Sequence, residues 1–430
     1  MSETEEWQVR VMEEKILYGE QTRKTRENMS FSGKQLSGYP EYIRAMAQVK
    51  WACARANERA GQLSQEKTER IGRACQEIID GGHLEQFPVD VFHGGGGIGL
   101  NMNMNEVLAA LAGGEVQPVD DINFCQSTSD VCHTSLRIAL SSMTADLTKE
   151  LDQMIECLRK KSREFEGIDT IARTCWQDGM KVRLSALLDA QTSALERKKE
   201  ALLKCRDRMR EINLGWTVIG SGTGSTDSYR EVILEELDEV TGRDYIWRPD
   251  PYDAAQYPDD LTELSGQVRM CAAILSKFSR DLRLLSSGPE TGLMELKLPA
   301  LQAGSSFFPG KVNPVLPEMM IQCNMLITGN DTVIQSCLEG GETYINLWEE
   351  LMGFLLMDSI SMLRHSIRLL REKCIAGMEA DREICRKYAH CAGALITEYK
   401  ETYGYGKLSS WIKKEGTAEV IRKLKEQNDQ

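Results

Sequence analysis

Two serines, a lysine and an asparagine crowd the stretch Gly304-Ser305-Ser306-Phe307-Phe308-Pro309-Gly310-Lys311-Val312-Asn313-Pro314, among two glycines and two prolines. Gly and Pro at this density end a helix and mark a loop, and loops held by rigid scaffolds are where chemistry tends to sit. Ser305 and Ser306 beside Gly304 have room to swing. Lys311 and Asn313, two apart and braced by Pro309 and Pro314, have the types needed to clamp a carboxylate. The same composition also fits a plain helix-to-helix connector with incidental polar residues. A second candidate is Phe92-His93-Gly94-Gly95-Gly96-Gly97, ahead of a helix expected to open near Asn103. Consecutive glycines point to close backbone approach to a ligand, or to an anion cradle at a helix N-terminus. A phosphate loop is weakly indicated, because no strand–GxxxxGK[ST]–helix context is present. His93 beside the run either contacts a ligand or caps the turn. The run Gly220-Ser221-Gly222-Thr223-Gly224-Ser225 has the look of a nucleotide loop, yet it follows a helix.

Long helices must position these loops. Leu136, Leu140, Met143, Leu147, Leu151, Met154 and Leu158 recur at three- and four-residue steps. Leu264, Val268, Cys271, Leu275, Phe278, Leu282 and Leu285 alternate the two steps strictly, the seam of a long helix bundle. Residues 347–370 are apolar nearly all round and are expected to be buried on several sides. One chain can hardly cover such helices on every face, so a homo-oligomer is expected. Helical patterning also runs from Tyr42 to about Ile79, broken at Gly61, and over 374–398; an amphipathic tail follows from Leu408. Residues 1–40 read as polar and mixed, with turns at Ser32-Gly33 and Gly38-Tyr39-Pro40.

A chain of 430 residues has room for two or three domains. Its net charge of −13 argues against nucleic acid or an anionic membrane as partner. Thirteen cysteines without CxxC spacing fit neither a disulfide framework nor a zinc site. His83, His365 and His390 have no partner pattern for a metal, and no organic cofactor is indicated. The opening MSETEEWQVRVMEEK is charged, so no secretory signal is expected. The longest apolar run, residues 351–357, is far too short to span a bilayer. The expected location is the cytoplasm.

Several blocks together resemble the aspartase/fumarase superfamily. GSSFFPGKVNPVLPE (304–318) is similar to its GSS-x-MP-x-K-x-NP loop, and Asn101-Met102-Asn103-Met104-Asn105-Glu106 to N-M-N-x-N-E. Gln126-Ser127-Thr128-Ser129-Asp130-Val131 resembles Q-S-S/T-N-D-V, and Arg173-Thr174-Cys175-Trp176-Gln177-Asp178 stands where the family has R-T-H-x-Q-D. Leu214 to Gly222 and Leu284 to Pro289 are similar as well. The blocks keep family order from about residue 30 to about residue 405. The resemblance implies a mainly α, three-domain fold: an N-terminal helical domain over 1–135, a central long-helix bundle over 136–373 carrying the catalytic loop 304–314, and a small helical domain over 374–430. It further implies a homotetramer whose active sites are shared between subunits. Its chemistry is carbon–nitrogen lysis by anti β-elimination, with Ser305 as base and Lys311 as the cation beside it. Thr174, Lys311 and Asn313 would hold the substrate α-carboxylate, and Ser306, Ser127, Thr128, Asn101 and Glu318 would line the site.

Other positions depart from the family pattern together. Gly97-Ile98-Gly99 replaces G-T-S, so two hydroxyl donors for a β-carboxylate are gone. The asparagine beside the leaving amine is Ser129, the histidine after Thr174 is Cys175, and a further histidine is Asp121. His93 stands where the family tends to have Gln, and His133 replaces a proline and is expected to be structural. Each missing partner would cost a buried carboxylate about 1–3 kcal/mol. A quaternary ammonium has no N–H to satisfy and prefers aromatic surfaces, for which Phe307, Phe308, Trp176 and Trp216 are candidate walls. The departures therefore lead to the expectation of an ergothionase-like enzyme that eliminates trimethylamine from ergothioneine to leave a thiol-imidazole acrylate. Aspartate ammonia-lyase is the alternative, and a noncatalytic structural homologue a third. Cys175 is expected to be a small apolar residue before a reactive thiol.

Overall fold

The computed structural model describes residues 16–428, so the charged opening stretch lies outside them. In chain order the helices are α1 (Glu20–Met29), α2 (Pro40–Arg59), α3 (Gln65–Ile79), α4 (Ile98–Ala112), α5 (Thr128–Glu164), α6 (Ser185–Arg208), α7 (Asp227–Thr241), α8 (Pro251–Gln256), α9 (Asp259–Leu285), α10 (Val315–Glu339), α11 (Glu349–Leu370), α12 (Arg382–Ala389), α13 (Ala392–Tyr403), α14 (Tyr405–Glu415) and α15 (Thr417–Asn428). The 37 residues of α5 span about 55 Å. Strand β1 (Asp169–Thr174) pairs antiparallel with β2 (Gln177–Arg183). The remaining pairings are two residues long: Glu211–Ile212 beside Ile246–Trp247, and Leu296–Lys297 beside Glu379–Ala380. The fold class is mainly α, as the heptads require.

The described chain forms two compact units. The first takes residues up to Asp146 with Leu202–Gln267 and Thr328–Ser361; the second takes Leu147–Ala201, Val268–Ile327 and the chain from Met362 on. In the first, the α5 stripe Leu136, Leu140 and Met143 is buried with Met352, Phe354, Leu356 and Ile360 of α11. A Cβ on Gly353 would sit 2.2 Å from Leu136, so this residue must be glycine for α5 and α11 to approach. Tyr39 and Tyr42 present edges to Phe354 at 4.7 and 5.3 Å. Arg55 and Arg59 of α2 both reach the buried Glu236 of α7.

In the second unit, Leu147, Leu151, Met154 and Leu158 of α5 and Val268, Cys271, Leu275, Phe278 and Leu282 of α9 are all buried. Glu150 accepts from Arg368 at 3.3 Å and from Arg371 at 2.9 Å. The β1–β2 hairpin packs on α12 and α13, and Asp178 leaves no room for a Cβ at Gly393. Leu408, Val420 and Leu424 form a small separate core with Ile396, Tyr399, Tyr403 and Trp411.

Three elements differ from the sequence expectation. Helix α1 occupies part of the stretch read as polar and mixed. Its start is held by the Glu106 carboxylate, which accepts from the N–H groups of Gly19, Gln21 and Thr22 at 2.9 to 3.1 Å. Helix α4 opens at Ile98, not near Asn103, because the glycine run ends in a left-handed Gly97 and leaves the helix at once. The β1–β2 hairpin was not expected, since its strands lack apolar alternation. Among the described residues no helix is long and apolar enough to cross a membrane.

Candidate active site

Loop 304–314, in the second unit, is closed by its own backbone. Gly304 N–H donates to Lys311 O at 2.7 Å, and Asn313 Nδ2 donates to Gly304 O at 2.8 Å. A Cβ at Gly304 would lie 2.6 Å from Lys311 O, so only glycine permits the closure. Within the loop, Ser305 Oγ accepts the N–H groups of Phe307 at 3.0 Å and Phe308 at 2.9 Å. Two aligned amides on one hydroxyl oxygen stabilise negative charge there, which is what a serine alkoxide needs. Lys311 Nζ lies 5.9 Å from the Phe308 ring centroid. Phe307 and Phe308 meet edge to face at 4.8 Å while staying 81% and 56% exposed. Glu318, in the first turn of α10, pairs with Arg283 at 3.2 Å.

Thr174 and Cys175 belong to the same unit. Thr174 ends β1 opposite Gln177, and the turn between them holds Cys175 at φ 52° and Trp176 at φ 60°. Tight hairpin turns favour this left-handed pair, but with Asn-Gly in it. Two L side chains there cost on the order of 1 kcal/mol each, and strain of this kind concentrates at functional tips. Cys175 is exposed and Trp176 is 71% exposed. Behind the turn, Glu295 is fully buried and accepts from Arg173 Nη1 at 2.6 Å, and the Arg173 guanidinium sits 5.1 Å from the Tyr388 ring centroid. That anchor fixes where the tip can go.

Ile98, Asn101, His93, Ser127, Thr128 and Ser129 belong to the first unit, which gathers most of them around the start of α5. Asn101 Nδ2 donates to Thr128 Oγ1 and to Asn123 Oδ1, both at 3.0 Å. Asn123 Oδ1 also accepts from Lys50 Nζ at 2.9 Å and from Asn105 at 3.2 Å, and Lys50 donates to Gln126 at 2.9 Å as well. Burial lowers the Lys50 ammonium to about 8. Ser127 N–H donates to Asp130 at 2.8 Å, and the other Asp130 oxygen accepts from Gly215 and Thr217 at 3.0 and 3.1 Å. Burial pushes Asp130 up to about 6 against these donors. Ser129 N–H reaches Ser127 Oγ at 3.3 Å. Ile98, at the first position of α4, is 49% exposed.

Two sequence features turn out to be engaged in packing. Every glycine from Gly94 to Gly97 has φ between 60° and 84°. A Cβ at Gly97 would fall 2.6 Å from Glu350 and 3.0 Å from Cys132, and one at Gly96 would fall 2.9 Å from Leu347. His93 is buried with Nδ1 on Asp90 O at 2.9 Å and Nε2 accepting Gly99 N–H at 3.0 Å. Both ring nitrogens thus hold the turn, and burial lowers the ring's pKa. Trp216 meets Trp247 edge to face at 5.6 Å and carries the Arg230 guanidinium over its ring at 5.3 Å, so it is already engaged. Sequence reasoning missed Lys50 and Asn123. A lone cation amid the apolar face of α2 was the available signal for the first. Among the described residues no cluster of His, Cys, Asp or Glu is placed to hold a metal ion.

The family model described as "Lyase" matches residues 10–329. The chain is 36% identical to an aspartate ammonia-lyase of Helicobacter pylori over 412 residues, covering 94% of this chain and 88% of the relative. Against the aspartate ammonia-lyase of Escherichia coli the identity is 35% over 399 residues, covering 90% and 84%. Among solved structures, a fumarate lyase:delta crystallin from Brucella melitensis bound to cobalt superposes with a TM-score of 0.89 at 37% identity, covering 93% of this chain and 89% of that one. A class II fumarase from Schistosoma mansoni gives 0.91 at 26% identity, covering 96% and 92%. With a family match over most of its length and relatives above one-third identity, the chain belongs to the aspartase/fumarase superfamily of lyases.

Proposed function

We propose that this carbon–nitrogen lyase, of the ammonia-lyase type, removes ammonia from L-aspartate by anti β-elimination with Ser305 as the base. The observation that carries the mechanism is the pair of backbone N–H groups aimed at Ser305 Oγ. A serine hydroxyl is a very weak acid, and it serves as a base only where its oxyanion is stabilised by such donors and a nearby cation. Ser305 takes the Cβ proton, the C–H electron pair forms the Cα–Cβ double bond, and the Cα–N bond breaks with its electrons on nitrogen. The ammonium therefore departs as neutral ammonia and needs no added proton. Lys311, Asn313 and Thr174 hold the α-carboxylate; Ser306, Cys175 and Glu318 stand beside them. Asn101, Ser127, Thr128, Ser129 and Ile98, contributed by another subunit of the assembly, line the amine and side-chain end. The relatives' activity favours aspartate as substrate.

The same reading takes the chain as a homotetramer with sites shared between subunits, in the cytoplasm, with the domain division 1–135, 136–373 and 374–430. Exposed Met325, Leu326 and Val333 on α10 supply an apolar face that chain–chain packing would cover.

A second reading, trimethylamine elimination from ergothioneine, is favoured by one observation. Ile98 is half exposed where a β-carboxylate would want hydroxyl donors. A paired ultraviolet assay separates the two, with L-aspartate in one cell and ergothioneine in the other. Fumarate formed from aspartate alone supports the first reading. A conjugated acrylate from ergothioneine alone overturns it in favour of the second, and silence in both rejects the two together.

A further inference from the structure

Lys50 is fully buried in the middle of α2, and among the described residues no carboxylate forms an ion pair with it. Its ammonium donates instead to two neutral side chains, Asn123 Oδ1 and Gln126 Oε1, each at 2.9 Å. The titratable groups around it are Cys53 on its own helix, Cys75 of α3, and Asp130 and Cys132 of α5. Asp130, the one carboxylate in that set, is engaged by the N–H groups of Ser127, Gly215 and Thr217. Buried charges are ordinarily paired. This one stands unpaired, three hydrogen bonds behind Thr128.

The ammonium sets the direction of that row of hydrogen bonds. It has donors and no acceptor, so whatever meets it must accept. That turns the Asn123 amide with its oxygen toward Lys50, an orientation the Gln126 carbonyl supports by accepting Asn123 Nδ2 at 3.2 Å. The same Oδ1 accepts Nδ2 of Asn101 at 3.0 Å and Nδ2 of Asn105 at 3.2 Å. With its nitrogen held there, Asn101 gives its other N–H to Thr128 Oγ1 at 3.0 Å. Thr128 Oγ1 can only accept in that contact, so its own proton is left over, with no acceptor among the described residues. Thr128 is half-buried at the first position of the 37-residue α5. Without the ammonium the two amides are freer to turn, and Thr128 would then donate inward to Asn101 Oδ1. An outward hydroxyl donor at a helix N-terminus, backed by an unpaired cation, suits a carboxylate. It offers nothing to a methylated ammonium.

We propose that Lys50 is a positioning residue for the side-chain end of the site: through Asn123 and Asn101 it keeps the Thr128 hydroxyl proton available to a second carboxylate on the ligand. This rests on the reading of Thr128 as a site residue of an amine lyase. The probes are succinate and butyrate, which share one carboxylate and differ in whether a second carboxylate or a methyl group ends the chain. Ligand-observed NMR titrations of the full chain are made at pH 7, below the value of about 8 to which burial lowers the ammonium. Lys50→Met should raise the Kd for succinate about tenfold or more and leave that for butyrate within about twofold. Thr128→Val should give the same split, and adding Lys50→Met to it should cost less than about twofold more. Asn101→Leu cuts the row while leaving Lys50 in place; it should reproduce the split, and it decides the matter if Lys50→Met fails to fold. Equal weakening of both probes, or additive effects at Lys50 and Thr128, would overturn the proposal. Succinate binding that depends on Lys50 in a protein inactive on aspartate would uphold this site while rejecting the substrate assignment. Aspartate turnover with succinate affinity indifferent to Lys50 would do the reverse.

Discussion

Arg137 meets Asp260 side-on, with Nε and Nη2 each 2.8 Å from a different carboxylate oxygen, and both residues are buried. The planar guanidinium fork matches the carboxylate, and its remaining Nη1 serves Glu349 and the His133 carbonyl. Removing one member of such a pair leaves uncompensated charge in the interior. Arg137→Leu should therefore destabilise the chain by about 3–5 kcal/mol. Denaturant unfolding measures this, and a loss below about 1 kcal/mol would show that the cluster relaxes into water.

Glu350 gives a pH signature. Burial, and then the Glu349 carboxylate, push it from 4.5 up to about 8. Its folded pKa lies above its unfolded one, so its contribution is fully present below pH 4.5 and is lost as pH rises through 8. Wild type should lose thermal stability progressively from about pH 4.5 to about 8 and level off above that, and Glu350→Gln should flatten that fall while matching wild type near pH 4. Parallel curves would place the loss elsewhere.

The hairpin tip should trade stability for function. Cys175→Asn with Trp176→Gly installs the pair that a left-handed turn prefers, and should stabilise the chain by up to about 1 kcal/mol. The melting temperature and kcat/KM, measured together, should move in opposite directions. Unchanged turnover would show that the Cys175-Trp176 strain has no part in catalysis.

If Lys311 has its proposed role, Lys311→Ala should raise KM and lower kcat together, because the ammonium would then both bind the α-carboxylate and stabilise charge on Ser305. A loss of about 10- to 100-fold in kcat/KM is expected for a charge-assisted contact. An unchanged KM would remove Lys311 from the carboxylate clamp.

How much of this was legible beforehand depended on the distance over which each feature is written. The apolar stripes of α5 and α9 and the Gly/Pro-dense loop 304–314 are local patterns, so the helices and the loop could be read directly. The β1–β2 hairpin could not, because Arg173, Thr174, Gln177 and Asp178 are polar on both faces and the strands are held by α12 and α13. Helix α4 opened early because four glycines in the left-handed region end abruptly, a conformation that residue types permit without dictating. The His133–Glu349 contact joins residues 216 apart, and Lys50 to Asn123 joins residues 73 apart. Such pairings become visible only when the chain folds. The two amides on Ser305 Oγ depend on backbone direction inside the loop, which the residue types leave open.

The central claim is that Ser305 is the base. The most direct measurement compares wild type with Ser305→Ala on L-aspartate, following fumarate absorbance and, in D2O, exchange of the C3 hydrogens by NMR. Both signals should fall by about a thousandfold or more in the variant, with its melting curve and assembly state unchanged. Turnover or C3 exchange persisting within about tenfold of wild type would contradict the account and move the base to another residue.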